Sequence, residues 1–75
     1  MNYGNYQGDT AAGRVYRYLL AAGDWVGGWD LTMRARVTAV STRISELRHQ
    51  GVPVEHRRDG TRNYYRLGPE QMTLL

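Results

Sequence analysis

Thr38, Ser41, Thr42 and Ser45 place four hydroxyl side chains within eight residues, and Arg57, Arg58 and Arg62 place three guanidinium groups within six. Bond-making chemistry with a serine needs a histidine that a carboxylate orients, and neither His49 nor His56 stands in such a pattern. The two histidines fall on different elements with no third metal ligand beside them. Without cysteine, thiolate zinc sites and disulfides are excluded. The glycine-rich piece "GDWVGG" lacks the lysine of a phosphate loop. We therefore expect no enzyme, no metal, no cofactor and no small-molecule ligand. What remains is recognition: hydroxyls that donate or accept hydrogen bonds at close range, and arginines that bind anions bidentately.

The 75 residues make one domain, and a domain of this size buries only about 60% of its unfolded surface. All ten basic residues are arginine, eight of them between Arg34 and Arg66, and the net charge is +3. That balance is a weak pointer to an anionic partner, since a GC-rich coding sequence explains missing lysine equally well. No apolar run approaches the ~20 residues that span a bilayer, and no signal-peptide pattern opens the chain, so the expected setting is the cytoplasm.

Positioning those groups requires defined elements. Residues 1–8 are polar and aperiodic, and we expect a disordered tail. The domain should span 9–68, with a short extension at 69–75 that starts a helical turn at Pro69. Asp9 or Thr10 is placed to cap a first helix running to Ala22, with Ala12, Val15, Leu19 and Ala22 on one face and Gly23 as its C-cap. "DWV" suits a short strand, and Gly27–Gly28 marks the start of a short second helix anchored by Trp29 and Leu31. After a turn around Arg36–Val37, the residues Val37, Val40, Ile44 and Leu47 recur at three- and four-residue steps, giving the apolar stripe of a third helix. Thr38 should cap it and Gly51 should stop it. Trp25, Trp29, Tyr65 and Leu67 are expected in the core.

"VPVEHRRDGTRNYYRL" has the form of a hairpin, with Asp59–Gly60 as its two-residue turn. That turn sets Arg57 opposite Arg62, His56 opposite Asn63 and Val54 opposite Tyr65. Val52, Val54, Tyr65 and Leu67 then share one face, and Glu55, Arg57, Arg62, Tyr64 and Arg66 the other. Pro53 removes a ladder donor, so its strand should be a sheet edge. The order is helix, short strand, helix, turn, helix, hairpin: an α+β fold with winged helix-turn-helix architecture. In a helix-turn-helix the second helix of the pair lies in the major groove. Short hydroxyls there allow close approach to base edges and offer a methyl to thymine. An ordinary solvated helix has no such requirement.

"VTAVSTRISELRHQGVPVE" and "GTRNYYRL" resemble the small winged helix-turn-helix proteins of bacteriophages and their hosts. Those carry a hydrophobic-Thr-x-x-Ser-x-Arg-Ile-x-Asp/Glu-Leu-Arg core, a Gly, a β-branched strand and a Tyr-x-Leu return strand. "GDWVGGWDL" is similar to the Trp-Val-x-Gly-x-x-Leu segment of the actinobacteriophage members, although the second helix here is short and glycine-rich. The resemblance covers about Trp25 to Leu67. It implies transcription regulation as a repressor, an excisionase-like architectural role, or that of an unassigned early protein. It places Ser41, Thr42 and Ser45 on the base-reading face, Arg43 and Arg48 at its flanks, and Arg57, Arg58 and Arg62 on the wing.

Each of these residues has an ordinary role to set against that one. Thr38 suits a cap better than a base contact. Arg43 stands three residues before Glu46, which fits an intrahelical ion pair as well as a phosphate contact. Arg48 borders the apolar stripe, where its stem packs whichever way its head is used. Wing arginines also guard an edge hairpin against pairing with other chains. The expected function is sequence-specific binding of double-stranded DNA in the bacterial cytoplasm, as a homodimer because one small module reads few base pairs. The alternative is a protein-interaction module whose third-helix face docks on a phage or host protein.

Overall fold

Thr10 starts the first helix: its Oγ1 accepts a hydrogen bond from the Gly13 N–H at 3.0 Å, which satisfies one of the donors that a helix N-terminus leaves open. The structure, a computed structural model, describes residues 10–69. The expected N-terminal tail and the helical turn expected to follow from Pro69 lie outside the described residues. Helix α1 (Ala11–Ala22) ends at Gly23, whose φ of 69° is left-handed and whose N–H donates to the Leu19 carbonyl. Ala12, Val15, Tyr16 and Leu19 are buried; Ala22 is exposed instead, and Tyr16 completes the stripe.

The remaining elements are β1 (Val26–Gly27), α2 (Gly28–Arg34), α3 (Val40–His49), β2 (Val54–Asp59) and β3 (Arg62–Leu67). The fold is α+β, with three helices and an antiparallel sheet ordered β1-β3-β2. The strand that follows Pro53 is indeed an edge. Helix α1 packs on α3 and on β3, and the core between them is filled by Val15, Leu19, Leu31, Val37, Ile44, Leu47 and Val52. Among the described residues, no helix is long and apolar enough to cross a membrane.

Two expectations fail between α2 and α3. Trp29 is not an anchor: it is 69% exposed, whereas Leu31 is fully buried. At 3.6 residues per turn, two positions from Leu31 is a rotation of about 200°, so Trp29 lies on the side of α2 away from the core. Met33, one turn further along that side, is 57% exposed. Nor does Thr38 cap α3. The connection spends Val37 in the core and reverses through two left-handed residues, Arg36 at φ 57° and Ala39 at φ 52°. Ala39 is therefore the N-cap residue, with no side-chain cap bond, and Thr38 is left in the turn. Arg14 on α1 secures this turn by donating to the Ala35 and Arg36 carbonyls.

Helix α3 ends as its glycine requires. Gly51 has φ 91°; its N–H donates to the Arg48 carbonyl and the Val52 N–H to the Leu47 carbonyl, both at 3.0 Å. This is the paired bonding of a Schellman motif, with Leu47 and Val52 both buried beside it.

The hairpin forms with its turn one residue later than expected. Asp59 pairs with Arg62, so the turn is Gly60–Thr61. Of these two only Gly60 has positive φ, at 65°, the pattern of a type II′ turn with glycine first rather than a type I′ turn on Asp59–Gly60. Every cross-strand partner therefore moves by two residues: Arg57 faces Tyr64, Arg58 faces Asn63 and Val54 faces Leu67. A shift of two preserves which side each residue points to, and Val54, Tyr65 and Leu67 are buried as expected.

Candidate nucleic-acid interface

Helix α3 buries Ile44 and Leu47 and half-buries Val40, which turns Ser41, Thr42 and Ser45 outward. All three are exposed, and their hydroxyls have no hydrogen-bond partner among the described residues. Thr38 is exposed in the preceding turn. Poor helix formers at such positions cost helix stability and return no bond among the described residues, so none of those residues takes up their donors and acceptors.

The flanking arginines of α3 are already engaged. Arg43 is only 27% exposed at its side chain and pairs with Glu46, Nη2 to Oε2 at 3.1 Å; its Nε is buried with no partner among the described residues. Arg48 reaches across to the sheet edge, where Nε and Nη2 both donate to the Val54 carbonyl at 3.3 and 3.0 Å. This fork fastens α3 to the edge strand β2, a use that the apolar border of its helix position did not reveal.

On the hairpin the three arginines do not crowd one another as the expected register implied. Arg57 and Arg62 share one side, across from Tyr64 and Asp59, while Arg58 is on the other, across from Asn63. Arg57 lies over the rings of Trp25 and Tyr64, at 5.0 and 5.6 Å from their centroids. Arg66 covers Trp25 as well, at 4.4 Å, and its Nε donates to Glu55 at 2.6 Å. Trp25 is thus half-buried under two guanidinium groups rather than in the core, and the stack ties β1 to the hairpin through cation–π attraction. Arg58 donates to the Gly60 carbonyl within the turn. Arg62 alone of the three has neither ion pair, ring contact nor hydrogen bond among the described residues.

The beginning of α3 and the hairpin turn meet at a half-open cleft of about 720 Å³. Gly28, Trp29 and Thr32 of α2 line it on one side, Val40 and Ser41 of α3 on another, and Thr61, Arg62 and Asn63 of the hairpin on the third. Ser41, expected on the base-reading face, and Arg62, expected on the wing, line the same cleft. Trp29 and Asn63 were missed: the helical spacing from Leu31 was sufficient to turn Trp29 outward, whereas nothing local to Asn63 marks it. On the β2–β3 face away from Arg57, His56 stacks on Tyr65 at 5.0 Å and contacts Asn63 Oδ1 through Nε2 at 2.9 Å. Among the described residues, no group of three metal-ligating side chains occurs.

Compared with known proteins, the chain matches no family model, no curated protein and no solved structure.

Proposed function

We propose that the chain is a winged helix-turn-helix protein that binds double-stranded DNA sequence-specifically, with α3 in the major groove and the β2–β3 hairpin as a wing on the adjacent backbone or minor groove. The observation that carries this reading is the exposed, internally unbonded set Ser41, Thr42 and Ser45, on the helix whose start abuts an arginine-bearing hairpin turn. Hydroxyls in a groove read base edges; arginines beside them hold phosphates and supply most of the affinity. A homodimer on two half-sites would extend the few base pairs that one α3 reads. The resemblance to phage regulators suggests a repressor or an excisionase-like factor working in the bacterial cytoplasm.

Replacing Thr42 and Ser45 together by alanine tests the groove assignment. A misread base pair costs roughly 1–3 kcal/mol, so the double variant, which no longer reads the pairs that Thr42 and Ser45 contact, should lose most of its preference for its selected site. Its affinity for unrelated duplex should stay near that of the parent, and its helix should be slightly more stable. Competition binding with specific and random duplex reads both numbers. Retained preference would put α3 off the bases and favour the protein-docking alternative.

A further inference from the structure

An indole 69% exposed in a domain this small needs a reason, because the side chain is large and its burial strongly favourable. Trp29 stands on one side of the cleft, and it shares the cleft with the polar Ser41, Thr61, Arg62 and Asn63 as well as with Val40, Tyr64 and Tyr65. Arg62 has no counter-charge bonded to it among the described residues. Asp30 also lines the cleft, but its carboxylate is turned to Arg34, 3.6 Å away. Asp59 is the cross-strand neighbour of Arg62 without forming an ion pair with it.

We propose that this cleft seats one sugar–phosphate strand of duplex DNA, with the Trp29 indole packed on a deoxyribose and Arg62 on the neighbouring phosphate. The inference rests on the DNA-binding reading above and adds a contact that reads no base. A nucleic-acid backbone alternates an apolar sugar face with an anionic group, which matches a cleft that offers an indole on one side and a guanidinium with hydrogen-bonding neighbours on the other. Continuity supports the same occupant: Ser41 belongs both to the exposed side of α3 and to the cleft, so a strand bordering the groove entered by α3 would pass here.

The test compares Trp29→Ala and Arg62→Gln with the parent chain on one duplex, on an unrelated duplex and on single strands, across a salt series. Trp29→Ala should weaken binding to both duplexes about tenfold with an unchanged slope of log K against log salt, since an apolar contact releases no counterion. Arg62→Gln should reduce that slope by about 0.9. Melting temperatures of both should match the parent, because neither side chain is buried. Of the two indole N–H resonances, the one missing in Trp29→Phe should shift when duplex is added to the parent. If the parent binds duplex while Trp29→Ala binds it equally and that resonance stays still, the cleft assignment falls and the DNA reading stands. If the parent binds no duplex, both fall. Self-association lost in Trp29→Ala, with duplex affinity unchanged, would overturn the assignment in favour of a protein-docking ridge, and equal competition by single strands would overturn its duplex form.

Discussion

Ile44→Ala is expected to bring the domain to the edge of unfolding at room temperature. Ile44 is 2% exposed and sits in the middle of α3, the helix that α1 packs against and that contacts α2 and β2 as well. Deleting its outer carbons removes their transfer free energy and leaves a cavity that three helices and a sheet cannot all close, a loss of about 2–5 kcal/mol. Small domains hold a reserve near the lower end of roughly 5–15 kcal/mol. Each kcal/mol corresponds to about 4–8 °C in a domain of this length, so a melt should fall by ten degrees or more or lose its cooperative transition. Ser45→Ala, one residue further along α3 but exposed, should leave the melt nearly where it was. A transition in Ile44→Ala that hardly moved would mean that the two sides of α3 are assigned backwards.

The second large effect concerns the hairpin. Changing Arg57, Arg58 and Arg62 together to glutamine should weaken binding to every duplex alike and reduce the slope of log K against log salt by about 2–3, at roughly 0.9 for each lost phosphate contact. The geometry gives the three unequal secondary roles. Arg57 rests on Trp25 and Tyr64, which leaves guanidinium edges to meet a phosphate but also ties its loss to the packing of β1. Arg58 is held at the Gly60 carbonyl, a local bond within an exposed turn. Among the described residues only Arg62 of the three is without such a contact, so its single replacement isolates charge from packing. Circular dichroism of the triple variant separates a weakened fold from a weakened contact. An unchanged salt slope in a folded triple variant would put the hairpin off the DNA.

Helix boundaries were legible where a single residue type satisfies a backbone need. Thr10 caps α1 through its hydroxyl, and Gly23 and Gly51 take left-handed conformations that end helices. The apolar stripe of α3 was legible for the same reason that it folds: Val40, Ile44 and Leu47 recur at helical spacing and pack inward. Thr38 misled because a good capping residue competes with tertiary packing; burying Val37 moved the start of α3 one residue on and left an alanine, at φ 52°, in the cap position. At the hairpin, Asp59–Gly60 and Gly60–Thr61 are both acceptable turns, and they differ in whether one or two central residues take positive φ. The two give the same inward and outward sides, so the burial pattern was right while the pairing of every arginine was not. Arg48 and Trp25 show what local pattern cannot contain. The Arg66 side chain that engages Trp25 comes from a strand far along the chain, and the Val54 carbonyl that Arg48 reaches lies six residues on, beyond the reversal at Gly51.

Selection of bound sequences from a random pool of duplex DNA tests whether α3 reads base sequence. Sequence-specific binding should enrich a short motif, repeated about one helical turn apart if two copies bind, at affinities that fall steeply as salt rises. Alanine at Thr42 and Ser45 should erase the motif while leaving recovery of unselected duplex intact. A pool that returns no enriched sequence, from a folded protein that retains no duplex at moderate salt, would contradict it.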